Sequence, residues 1–197
     1  MSNMIDYIDL IFPNEKYDEI SNLHFKLQIN NNHIYSMEHD EKISSIIKYA
    51  KYCQRPASFK LIGNIMGKIL LSKGIDADII TYVPMHRIDE YKRGFNQSYI
   101  LAKLISQITK IKLCSNILVK TKRTYNQASL NFVNRMNNLK DVFQAHDNLS
   151  AGRKIIVVDD IWTTGATLKE CEKVLLNNKA SSVILVTISK NKKKQIY

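Results

Sequence analysis

Between Tyr91 and Lys140 the sequence contains no aspartate and no glutamate. Ten lysines and arginines fall in that stretch, so the rest of the chain supplies only +1 of the formal net charge of +11. Charge of one sign over such a length points to an anionic partner, a polyphosphate or a nucleic acid, against the plainer alternative of a solvated basic face. Cysteine is scarce as well. Cys53, Cys114 and Cys171 stand alone, with no C-x-x-C pair. That argues against a zinc ribbon or a disulfide framework and fits a reducing cytoplasm. No apolar run reaches the roughly 20 residues that a spanning helix needs. The first residues, MSNMIDYIDLIF, carry acids and no basic leader, so a secretory signal is not expected. With six glycines and three prolines there is no flexible linker and no repeat. The 197 residues suffice for one α/β domain with a sizeable core.

What is present is an alternation of short apolar runs with amphipathic stretches. HFKLQI, NNN and HIYSM predict a hairpin around an asparagine-rich turn. The spacing of Ile43, Ile46, Ile47 and Ala50 predicts a helix over Asp40–Cys53, with Asp40 as its N-cap. A second helix is expected over Ala57–Ser72, closed by Gly74, and a third over Gln97–Gln107. Strands are expected at Ala77–Pro84, Asn116–Lys120, Val142–Ala145, Lys154–Asp160 and Ser182–Ser189, and a short helix at Leu130–Leu139. Strands alternating with helices imply a parallel sheet covered on both faces.

VVDDIWTTGAT, Val157 to Thr167, concentrates the chemistry. A buried strand ends in two acids, a threonine-glycine turn follows, and a helix begins. In strand–loop–helix units ligands bind at the carboxyl ends of the strands. The first backbone N–H groups of the helix and its dipole favour an anion. Thr163, Thr164 and Thr167 add hydroxyl donors, and Gly165, with Ala166 beside it, lets the backbone approach closely. Asp159 and Asp160 repel that same anion and suit sugar hydroxyls, a divalent cation or a developing positive charge. A phosphorylated sugar satisfies both halves, whereas a capped helix after a solvated acidic turn would satisfy neither for a reason.

This segment resembles the 5-phosphoribosyl-1-pyrophosphate (PRPP) signature of type I phosphoribosyltransferases. Two further blocks resemble the competence-associated ComF family of these proteins. In YVPMHRIDEYKRGFNQSYILAK the matching residues are Val83, Pro84, Arg87, Arg93, Gly94, Phe95, Asn96, Gln97, Leu101 and Ala102. In LVKTKRTYNQASLNFVNRMNNLKDVF they are Arg123, Thr124, Gln127, Leu130, Arg135, Asn138 and Phe143. The segment Ile47 to Tyr49 is similar to the family's K-Y stretch. Many relatives begin with a four-cysteine zinc ribbon. Its cysteines are absent here, so no function of that module is carried over.

The resemblance implies a type I phosphoribosyltransferase-like fold over residues 38–197, a parallel sheet with helices on both faces, and a small hood or hairpin over residues 1–37. It implies PRPP and Mg²⁺ as ligands. Thr163, Thr164, Gly165, Ala166 and Thr167 would take the 5′-phosphate. Met85, His86, Arg87 and Arg93 would take pyrophosphate. Asp159 and Asp160 would be the catalytic and metal-holding acids. Arg123, Gln127 and Arg135 would lie on a mobile loop over Lys120–Asn138 that excludes water. Arg135 is equally an ordinary helix-surface charge, and His86 equally a loop histidine. Phosphoribosyl transfer or hydrolysis in the cytoplasm, tied to DNA uptake, is the implied role. An accessory protein that binds single-stranded DNA and uses the PRPP site for regulation is the alternative. Homo-oligomers and a competence-machinery protein are further implied partners.

Overall fold

The computed structural model describes residues 20, 23–52, 56–124, 142–146 and 149–191. The chain runs β1 (Gln28–Asn30), β2 (His33–Glu38), α1 (Glu41–Tyr52), α2 (Ala57–Ser72) and β3 (Ile79–Tyr82). It continues with α3 (Arg87–Arg93), α4 (Gln97–Thr109), β4 (Lys112–Leu113), β5 (Leu118–Lys120) and β6 (Phe143–Ala145). It ends in β7 (Lys154–Trp162), α5 (Ala166–Asn177) and β8 (Ser182–Lys190). Six strands form one sheet in the order β1-β2-β8-β7-β3-β4. Only the β1–β2 pair is antiparallel; every other neighbouring pair is parallel. The carboxyl ends of β2, β8, β7 and β3 therefore share one edge. β5 and β6 make a separate antiparallel ribbon.

The apolar run of β7 is continuous because both of its faces are buried. Ile156 and Val158 join the core formed with α1, α2 and α4. Ile155 and Val157 join the core formed with α5, β5 and β6. By the same alternation Asp159 and Asp160 fall on opposite faces where the strand reaches the edge. α2 lies close against α4 because Gly63 and Gly67, one turn apart, carry no side chain. A Cβ at Gly67 would stand 2.9 Å from Ile108 Cδ1 and 3.3 Å from Ile105 Cα.

The predicted hairpin forms, with Asn31 in the left-handed region at φ 54°. Instead of standing apart, it extends the main sheet, because β2 pairs in parallel with β8. The Asn32 side chain donates to Glu172 Oε1 at 2.5 Å and to the Val183 carbonyl at 3.0 Å, fastening the turn to α5 and β8. Asp40 Oδ1 accepts from the Ile43 N–H at 2.9 Å, as expected of a cap.

Two elements differ from expectation. The basic segment after β3, expected as a loop, contains α3. The His86 ring accepts from the Ile88 N–H, Asp89 and Glu90 sit in the first turn, and Lys92 and Arg93 sit in the last. Those charges complement the helix dipole. Gly94, at φ 83°, closes the helix. The two-residue β4 was not foreseen either, being too short to show a period. The helix expected over Leu130–Leu139 lies outside the described residues.

Candidate functional site at the carboxyl edge of the sheet

β7 delivers Asp159 and Asp160 to the edge, and the chain turns through Thr163, Thr164 and Gly165 into α5. Gly165 takes φ 79°, a conformation that favours glycine. A Cβ there would meet the Trp162 ring at 2.1 Å. No side chain caps α5 at Gly165. The Ala166 N–H reaches Thr164 Oγ1 at 3.3 Å, and Ala166 and Thr167 open the helix. Thr163 is exposed and Thr167 half-buried. Beyond Ala166, the first N–H groups of α5 meet no side-chain acceptor among the described residues, an arrangement that suits a phosphate.

The second motif arrives beside this one because β3 and β7 are parallel neighbours. Val83 N–H bonds the Val158 carbonyl at 3.0 Å, and Asn96 Nδ2 donates to the Val83 carbonyl at 3.2 Å. Asn96 also caps α4, its Oδ1 accepting from the Ser98 and Tyr99 N–H groups. The Ser98 hydroxyl then donates to Asp159 Oδ1 at 2.7 Å. One buried asparagine therefore positions the serine that holds the acid.

Burial and the neighbouring Asp160 push the Asp159 carboxyl above the usual carboxylate range, while the Ser98 hydrogen bond and Lys51 act the other way. Asp160 loses solvation too, but the Lys51 ammonium, paired with its Oδ2, holds it low. The two acids are thus inequivalent: Asp160 is the fixed anion and Asp159 the member that more readily takes a proton.

Met85 and His86 follow β3, and Arg87 and Arg93 mark the two ends of α3. Arg87 is exposed. Arg93 Nη1 donates to Gln97 Oε1 at 2.9 Å and lies 3.8 Å from Met85 Sδ, so it braces the segment between β3 and α4. Arg123 follows β5 and grips Asp89 Oδ1 through Nε at 3.0 Å and Nη2 at 2.9 Å. That bond ties the start of the expected mobile loop to α3. Gln127 and Arg135 lie outside the described residues.

Four side chains escaped the sequence reading as parts of the site. Lys51 extends the stripe of α1 by one turn from Ile47, and a cation on an apolar stripe asks for a buried acid. Ser98 directly follows the R-G-F-N-Q block. Lys120 is half-buried, donates to Thr124 Oγ1 at 2.8 Å, and burial lowers its pKa. His33 stacks on Trp162, ring centroids 4.1 Å apart, and bonds Thr187 Oγ1 at 2.8 Å; only the tertiary structure brings that pair together. Cys171 is buried, which raises its thiol pKa well above the usual value and keeps it inert.

Residues 96–196, which include the acidic pair and the threonine-glycine turn at the end of β7, match the family model described as "Phosphoribosyl transferase domain". The chain belongs to that family, and within it resembles the ComF group. It is 35% identical to Competence protein F of Haemophilus influenzae over 50% of this chain and 44% of that protein. It is 30% identical to DNA utilization protein YhgH of Escherichia coli over 72% of this chain and 64% of that protein. With Competence protein ComFC of Bacillus subtilis the identity is 31%, over 56% of this chain and 43% of that protein. The chain thus spans about half to two thirds of the length of these relatives. Among solved structures, adenine phosphoribosyltransferase from Leishmania tarentolae matches with a TM-score of 0.49 at 10% identity, over 84% of this chain and 94% of that one.

Among the described residues no helix is long and apolar enough to cross a membrane. Nor do they hold a group of three or more His, Cys, Asp or Glu side chains suited to a metal ion.

Proposed function

We propose that the chain binds PRPP with Mg²⁺ at this edge and transfers or hydrolyses its phosphoribosyl group, releasing pyrophosphate. The observation that carries the reading is the start of α5, where Thr164 meets only the Ala166 N–H, beside the acidic pair: an anion site and a hydroxyl-and-cation site on adjacent residues. The α5 N–H groups and Thr163, Thr164 and Thr167 hold the 5′-phosphate. Asp159 and Asp160 accept from the ribose hydroxyls and stabilise the positive charge that develops on the sugar as pyrophosphate departs. Met85, His86, Arg87 and Arg93 receive the pyrophosphate, the arginines through forked donors. Mg²⁺ fits this donor set as an ion held by one or two carboxylates, phosphate oxygens and water, and it supplies charge neutralisation to the leaving group. Arg123, which reaches Asp89 of α3, would contribute charge beside the pyrophosphate. Calorimetry with PRPP and Mg²⁺ tests the reading. Joint replacement of Asp159 and Asp160 by Asn should weaken binding sharply, and an unchanged affinity would remove the proposal.

The names of the relatives suggest a setting in competence and DNA utilization, and the isolated cysteines fit the cytoplasm. The basic stretch favours a second reading, a protein that binds single-stranded DNA and uses PRPP for regulation. Lys92, Lys103, Lys110, Lys112, Lys122 and Arg123 are all exposed. Under this reading, affinity for single-stranded DNA falls steeply with salt, with a log–log slope of about −0.7 per neutralised phosphate. Replacing Lys190, Lys192, Lys193 and Lys194 by Gln flattens that slope if the C-terminal lysines take part. A dissociation constant on the order of 10⁻⁴ M or weaker at physiological salt would leave only the transferase reading.

A further inference from the structure

Lys51 stands at the last turn of α1, on the buried stripe rather than among the exposed lysines of that helix. Its side chain is 19% exposed and its partner Asp160 8% exposed. The surroundings are polar but enclosed: His39 Nδ1 lies 2.8 Å from Ser189 Oγ, and the His39 N–H bonds the Lys190 carbonyl at 2.8 Å. Two adjacent carboxylates at a partly desolvated strand end need a cation, because like charges in low dielectric repel strongly. The fold supplies one cation from within. We infer that Lys51 is the resident counter-ion of the acidic pair, standing against Asp160 where a free divalent cation would otherwise bind. The carboxylates then accept a metal only together with substrate phosphates, or after Lys51 is removed. The absence of a third acidic, His or Cys ligand among the described residues agrees, since a bare metal would find two carboxylates, one already neutralised. This inference rests on the PRPP reading of the site and deepens it.

The test uses Mg²⁺ alone, without PRPP, on the full chain. Thermal melts of the wild type should not respond to Mg²⁺. Lys51→Met leaves Asp160 buried and uncompensated, so it should melt lower. Mg²⁺ at about a hundredfold over its dissociation constant should then raise the Tm of Lys51→Met by on the order of 5 °C. Lys51→Arg should behave as the wild type, and Lys51→Met with Asp160→Asn should lose the response. A wild type that responds as strongly as Lys51→Met overturns the inference, as does a folded Lys51→Met that ignores Mg²⁺. Should Lys51→Met fail to fold, rescue by Mg²⁺ during refolding supports the inference. Failure even with Mg²⁺, while the double variant folds, refutes it. Parallel calorimetry with PRPP separates the two claims. A wild type that binds PRPP beside an unresponsive Lys51→Met sinks only the role of Lys51. A wild type blind to PRPP beside a responsive Lys51→Met sinks only the PRPP reading.

Discussion

The indole of Trp162 fills the space that a side chain at Gly165 would need, with Cζ2 2.1 Å from the position of a Cβ. The ring cannot simply swing away, because its other neighbour is the buried His33. Gly165 is therefore required twice, for its φ of 79° and for the ring it touches.

Gly165→Ala should cost roughly 1–2 kcal/mol for the left-handed backbone alone, plus the displacement of the indole. Denaturant titrations would separate the two parts. In a Trp162→Leu background the steric part should vanish and the backbone part remain. Equal destabilisation in both backgrounds would show that the ring imposes nothing.

His33 is neutral in the folded protein, because burial first and then Lys190 and Lys169 lower its pKa to about 4. The unfolded chain takes up its proton near pH 6.5, so His33 contributes stability that is full above that value and lost as pH falls toward about 4. His33→Gln should flatten this part of the pH–stability curve, leaving the smaller slope from His39, whose pKa burial also lowers. The chain has one tryptophan, Trp162, and His33 stacks on it. Its fluorescence should therefore follow the same titration in the wild type and lose it in the variant.

Asp159 works in the opposite sense. Its folded pKa lies above the unfolded value, so the folded state binds more protons in the window just above the ordinary carboxylate range. Stability falls as pH rises through that window. Asp159→Asn retains an oxygen to accept from Ser98 and removes the repulsion with Asp160. It should raise the Tm above neutral pH, by about 2–4 °C for each kcal/mol in a chain of this size, while PRPP affinity falls. A Tm that drops in this variant would contradict the assignment of Asp159 as the strained acid.

At the contact between α2 and α4, Gly67→Ala should destabilise by about 1–2 kcal/mol. The clash with Ile108 and Ile105 outweighs the gain of up to about 1 kcal/mol in helix propensity. Gly63→Ala, whose nearest contact would be Leu104 Cδ1 at 3.1 Å, should cost less. Urea unfolding of both variants gives the comparison.

The boundaries of α2 and the identity of β7 were legible because their signals are local. An amphipathic or continuous apolar run between a proline and a glycine, or before two acids, has few alternatives. The turn from β7 into α5 was legible for the same reason, being contiguous in Asp159–Thr167. α3 was not, since its seven residues bury nothing fully and its order comes from a histidine cap and terminal charges. The partners of the two acids were harder still. Ser98 and Lys51 reach Asp159 and Asp160 from two different helices, and only the crossovers of the sheet bring those helices to one edge.

The bond between His33 and Thr187 spans 154 residues. β2 has no parallel neighbour other than β8, the last strand of the sheet. During synthesis the hairpin must wait, unpaired on that side, until β8 has left the ribosome. The indole of Trp162 gains its histidine neighbour only then. A nascent chain can thus fold the helices around β3 early, yet the turn that would receive a phosphate is not braced until the final strand arrives.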